Sequence, residues 1–196
     1  MTRAFALLFA AVVLLAGAGQ ARAQGFFDTR DIMGGGPGFF RPGMPSGASP
    51  IPRQTVSFAG GYAPGTIYIS TSERRLYLVL GDGTALRYAV AVGRPGKQWF
   101  GQRAVDGKHV RPAWSPPAEV KRDNPRLPNV IAGGSPSNPM GVAALTLSGG
   151  EYAIHGTNRP GSIGTYASYG CIRMHNHDIA DLFDRVSVGT PVVVTR

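Results

Sequence analysis

The stretch Ser168-Tyr169-Gly170-Cys171-Ile172-Arg173-Met174, with Ile154-His155-Gly156-Thr157 upstream of it, decides how the rest of the chain is read. Cys171 is the only cysteine, so it has no partner for an internal disulfide. A single thiol in an exported chain is either an intermolecular link or a reactive group. A free thiol with a pKa of ~8.5 is mostly protonated near neutrality, and the thiolate is the attacking species. An imidazole brought close can take that proton, and His155 is the candidate base. Gly170 lets backbone approach a substrate without a side chain between them. The Gly170 and Cys171 amides are then candidate donors to an oxyanion. Arg173 adds a fixed charge able to lower the thiol pKa or to grip a substrate carboxylate. Two blander readings compete. Cys171 alone would read as a small buried hydrophobe. Cys171 with His175 and His177 loosely resembles a metal site, but the spacing matches no structural-zinc pattern, and no metal is expected.

Working outward, the texture on both sides is mostly β. Thr66-Ile67-Tyr68-Ile69-Ser70, Arg75 to Leu80 and Ala85 to Val92 read as an antiparallel meander, with Gly81-Asp82-Gly83-Thr84 as a turn. Gly93 to Gly134 is rich in proline and charge and reads as a long irregular region, the length of a lid or groove wall, with short strand as an alternative for part of it. His109 within it reads as a solvated surface residue. Gly141 to Leu147 and Glu151 to His155 are strand candidates around Ser148-Gly149-Gly150. Asn176 reads as a helix N-cap, with Asp178 in the first turn. Ile179, Leu182, Phe183 and Val186 then recur at the spacing of one apolar helical face. Pro191 to Thr195 is a last valine-rich strand. The expected architecture is therefore mostly β with one clear helix after Cys171.

The N-terminal region has a different character. Met1-Thr2-Arg3, an apolar run from Ala4 to Ala18 and Ala21-Arg22-Ala23 together read as a cleavable export signal over residues 1–23, with an uncleaved anchor as the alternative. The run is shorter than the ~20 residues that cross a bilayer, so no stable membrane insertion is expected after cleavage. Residues 24–60 read as a Gly/Pro-rich disordered linker and 65–196 as the folded domain that carries both motifs. The formal charge of +9 suits an anionic envelope polymer. Export and the lack of a dense Lys/Arg block argue against nucleic acid.

The joint pattern His155-Gly156-Thr157, Gly164 and Ser168-x-Gly170-Cys171-Ile172-Arg173-Met174 resembles the signature of L,D-transpeptidases with a YkuD-type catalytic domain. The resemblance runs from about Thr66 to Arg196 and includes Trp114-Ser115-Pro116-Pro117 and Val188-Gly189-Thr190-Pro191-Val192. It implies a β-sandwich-like fold with its site in a groove under a flap. It implies Cys171 as nucleophile and His155 as proton acceptor and donor, with the carbonyl of Gly156 or Thr157 orienting the ring. Ser168, Tyr169, Gly170 and Arg173 would line the oxyanion and substrate region. It further implies peptidoglycan stem peptides as substrate, with a stem, an envelope protein or a free D-amino acid as acyl acceptor, in the periplasm and without a cofactor. Hydrolysis on the same fold and non-catalytic wall binding are the alternatives. One position departs from the commonest form: Tyr169 stands where many members carry histidine.

Overall fold

The computed structural model describes residues 50–150 and 152–196. The proposed leader and most of the Gly/Pro segment lie outside the described residues. Among the described residues ten strands are formed: β1 (Gln54–Ser57), β2 (Ile67–Ser70), β3 (Arg75–Val79), β4 (Thr84–Gly93), β5 (Gly101–Val110), β6 (Ala143–Leu147), β7 (Ala153–His155), β8 (Tyr166–Ser168), β9 (Ile172–Met174) and β10 (Pro191–Thr195). Two helices join them, α1 (Ala118–Asp123) and α2 (Asn176–Arg185). The expected meander is present as β2, β3 and β4, held by antiparallel registers such as Ile67↔Leu78 and Leu76↔Tyr88. β1 lies within the stretch read as linker and pairs with β4 from Gln54↔Arg87 to Ser57↔Thr84.

The strands form two packed sheets that share two long members. One sheet runs β1-β4-β3-β2-β10-β5, and the other β5-β6-β7-β9-β4. β4 pairs with β3 through Ala89 and with β9 at Val90 and Ala91. β5 pairs with β10 through Ala104 and with β6 from Val105 onward. Its register shifts between Val105 and Gly107, a bulge at the point where the strand passes between sheets. The path is thereby closed through β4–β9, leaving few free edges.

Between the sheets lies one apolar core that includes Ile67, Leu76, Tyr88, Val90, Leu145, Ile154, Ile172 and Val192. Ile179 and Leu182 of α2, with Val186 just beyond it, complete it, so the helical periodicity read from the sequence is the face that packs.

Two local expectations are refined. The strand left open within Gly93 to Gly134 is β5, and it is long, with ten residues. Only Val105 of β5 is fully buried, so the strand lacks the alternation that betrays a half-buried strand and is held by partners on both sides. Asn176 is not the N-cap of α2. His175 holds that position, with no side-chain cap bond. The Asn176 Oδ1 instead accepts the amides of Thr157 (3.0 Å) and Val142 (3.4 Å).

Leu182 is fully buried between α2 and the sheets. Leu182→Ala is expected to lower unfolding stability by about 2–5 kcal/mol, as measured by denaturant titration. A loss below about 1 kcal/mol would show that α2 is peripheral to the core.

Candidate active site

The second sheet presents a row of side chains on its outer face. Its registers run His109↔Ala144, Ala144↔His155, His155↔Arg173 and Arg173↔Ala91 across β5, β6, β7, β9 and β4. Residues in register on neighbouring strands project to the same side. Leu145, Ile154 and Ile172 alternate inward to the core, which leaves His155 and Arg173 outward and adjacent. Cys171 lies immediately before β9, two residues from Arg173, and so shares that face. Strand spacing and rise put its Cα about 8 Å from that of His155, within reach of a thiol and an imidazole side chain.

The β7–β9 pairing is parallel, so the chain has to cross back between them. Parallel neighbours need a connection of a dozen residues or more. Residues 156–171 supply it, through a 3-10 turn at Pro160–Ser162 and the short strand β8. The return segment expected from Pro160, Gly161 and Gly164 therefore carries a strand, β8, paired with the end of β4.

His155 is buried, and its Nδ1 donates to the Gly156 carbonyl at 2.7 Å. A carbonyl only accepts, so Nδ1 carries the proton and Nε2 holds the lone pair of the neutral ring. Burial first, then the Arg173 charge, pushes the imidazole pKa down to about 3, against weaker upward pulls from the Gly156 and Pro139 backbone. Asn176 accepts the Thr157 amide, and a Cβ at Gly156 would collide with its Oδ1. The segment bearing the imidazole is thus pinned from α2.

Cys171 keeps partial exposure. It packs against Trp114, Ile131, Met140, Ala144 and Ala153, a small apolar cluster on the outer face. The packing around its sulfur is dense enough that burial pushes the thiol pKa up, with the Ala153 backbone and the Arg173 charge pulling the other way. The resting pair is therefore a neutral thiol and a neutral imidazole. Arg173 is largely enclosed, and its buried Nε has no hydrogen-bond partner. Desolvation pushes its pKa down, yet a guanidinium remains charged at neutral pH.

The turn before the thiol is fixed from several directions. Ser168 Oγ donates to the Cys171 carbonyl (2.5 Å) and accepts the Gly170 amide (3.1 Å). In the resting structure that amide is therefore hydrogen-bonded within the turn. Gly170 has φ +125°, and a Cβ there would strike the Tyr152 ring. Its carbonyl accepts from Trp99 Nε1 at 3.0 Å, and Trp99 stacks on Tyr152 with ring centroids 4.9 Å apart. Tyr169 turns toward α1, its hydroxyl donating to Asp123 Oδ2 at 2.6 Å.

Sequence reasoning missed Trp99, Tyr152 and Asn176. None carries a motif: Trp99 sits in a segment without periodicity, and an asparagine at a helix start reads equally well as a cap. His109 is half-buried on β5, where burial pushes its pKa down, so the solvated reading fails. Among the described residues, no three His, Cys, Asp or Glu side chains are grouped to hold a metal. No helix among them is long and apolar enough to cross a membrane.

A thiol and an imidazole on one sheet face define a cysteine–histidine site on a mostly β domain. The model of the L,D-transpeptidase catalytic domain matches residues 64–194, and the chain belongs to that family. A probable L,D-transpeptidase of Escherichia coli K12, YbiS, is 40% identical over 135 residues, covering 64% of this chain and 43% of that protein. The chain thus spans less than half the length of that curated relative. L,D-transpeptidase 3 of Mycobacterium tuberculosis superposes with a TM-score of 0.53 at 15% identity, covering 67% of this chain and 60% of the other. A Brucella melitensis structure described as a probable carnitine operon oxidoreductase is 43% identical, with a TM-score of 0.50, covering 74% of this chain and 94% of the other. The family and its mostly β fold agree with the resemblance carried by the two motifs.

Two outcomes test the geometry. Below a pH of about 6.5 an unfolded chain protonates His155, while the native ring, with its pKa near 3, stays neutral. Its contribution to stability is therefore complete above 6.5 and is lost as pH falls toward 3. His155→Gln should flatten the fall in Tm between pH 7 and pH 4 relative to the parent, and an identical fall would refute a buried neutral imidazole. Separately, Gly170→Ala should destabilise by about 1–3 kcal/mol and shift near-UV circular dichroism, since its Cβ strikes Tyr152. A silent substitution would show that the turn is not constrained.

Proposed function

We propose that this domain is a cysteine acyltransferase acting on peptidoglycan stem peptides in the periplasm, after removal of residues 1–23. The observation that carries the reading is the His155 ring, held by the Gly156 carbonyl at 2.7 Å on the face that bears Cys171. In the proposed reaction the Cys171 thiol loses its proton to His155 Nε2 and its sulfur attacks the carbonyl of the stem's third residue. The tetrahedral intermediate collapses as His155 returns the proton to the departing amine, and D-alanine leaves. An acceptor amine then attacks the thioester, with His155 taking its proton. An amide forms and the thiol is restored.

The perturbed pKa values support a base that works only in the reacting complex. A neutral imidazole is competent to accept a proton, and a neutral thiol stays protected until substrate arrives. Arg173 provides a positive charge two residues from the nucleophile, and its unpartnered Nε suits a substrate carboxylate. Membership of the L,D-transpeptidase family supports both the bond broken and the substrate class.

Incubation of the purified protein with a tetrapeptide stem should give a mass adduct on Cys171, discharged by a D-amino acid into an exchanged product. Cys171→Ala should abolish the adduct. His155→Gln should lower kcat/KM by about 10²–10⁴ in single-turnover assays. Folded protein that forms no adduct would overturn the assignment.

A further inference from the structure

The wall beside the site contains a helix that its own burial does not secure. α1 has six residues and buries none of them, and a helix so short is unstable alone. Val120, and Leu127 beyond it, are only partly buried against the cluster containing Trp114 and Met140, on which Cys171 also packs.

What seats α1 is a set of polar contacts along its acidic side. Glu119 receives Lys97 Nζ at 2.5 Å and lies 3.8 Å from Arg94 Nη2. Asp123 Oδ2 accepts from Arg94 Nη2 at 3.1 Å and from the Tyr169 hydroxyl at 2.6 Å. The Arg94 guanidinium lies 4.0 Å from the Tyr169 ring centroid, which sandwiches it between the phenol and α1. The Arg94 amide in turn donates to the Ser168 carbonyl at 2.9 Å. The hydroxyl of Tyr169, and after it Arg94, hold the Asp123 carboxyl below the usual carboxylate range. The residue two places before Cys171 is thus tied directly to α1.

These contacts are half exposed, with Arg94 at 40% and Asp123 at 41%. Such pairs are individually weak and are screened by salt, which makes them suited to release and reseating. Val120 of α1 and Cys171 pack against the same cluster, so releasing α1 opens one side of the sulfur's surroundings to water. We infer that Tyr169, Asp123 and Arg94 form a latch seating α1 beside Cys171, and that the seated helix favours an amine acceptor over water at the thioester. The second half rests on the acyl transfer proposed above. Both fates break the same carbon–sulfur bond and reprotonate the thiolate. Attack by an amine leaves an amide, and attack by water leaves a carboxylic acid.

Hydrogen exchange and product analysis test the two halves separately. Tyr169→Phe keeps the ring and removes only the hydroxyl, while Asp123→Asn removes the charge. Glu73→Gln is the control, because Tyr77 donates to Glu73 (2.5 Å) in a like pair on the opposite sheet. The Lys121 and Asn124 amides, bonded to the Pro117 and Val120 carbonyls, should exchange about fivefold faster in the two latch variants, the scale of an exposed charged contact. They should be unchanged in the control. Equal exchange in all three overturns the latch.

With a tetrapeptide donor and a D-amino acid acceptor, the ratio of transfer to hydrolysis should fall about fivefold in the latch variants. High salt should lower the same ratio in the parent. Faster exchange with an unchanged ratio overturns the role in partitioning. A parent that forms no thioester defeats the assignment of Cys171 instead, and the exchange comparison alone then decides whether the latch exists.

Discussion

The double pairing of Ile172–Met174, with β7 along one edge and the end of β4 along the other, is the constraint on which the rest of the structure depends. It closes the path of strands and fixes Arg173 beside His155. It also sets Cys171 at the strand's entry on the same face. Only three residues make these bonds, so the position of the thiol is set first by backbone register. The inward side chains of the same segment, Ile172 and Met174, are fully buried in the shared core. Moving the site would therefore mean unpicking the core.

Around that strand the polar groups are arranged so that each supports the next. Ser168 holds both ends of the turn before the thiol, Trp99 holds its middle, and Asn176 holds the segment after the imidazole. The cost falls on ionisation. Enclosing His155 and Arg173 side by side suppresses the charge on the imidazole, and enclosing Cys171 suppresses the charge on the thiol. A chain that held a permanent thiolate would expose it to every oxidant it met. Here both partners rest neutral.

Much of this was legible in the sequence, and the reasons are physical. β2, β3, β4 and β10 announce themselves because alternating apolar residues face a core, and α2 does so because its apolar residues repeat at the helical period. Cys171 and His155 stood out because few residue types can do their chemistry. The mostly β fold with a helix after the cysteine followed from those elements. What stayed hidden was held by partners distant in sequence. β5 has little apolar content and owes its form to β10 and β6. Asn176 looked like a cap because its acceptor could serve either its own helix or a neighbouring segment, and only the fold chooses. Gly170 was recognised as permissive, but its commitment to Ser168 depends on a turn that no local pattern specifies.

The hydrogen bond from Trp99 to the Gly170 carbonyl has an optical consequence. The chain contains two tryptophans. One is bonded to the turn that carries Cys171, and the other, Trp114, packs in the same cluster as that residue. No other indole is present to dilute their signal. The intrinsic fluorescence of the protein is therefore a built-in reporter of the surroundings of one sulfur atom, and events there can be followed in real time with the unlabelled chain.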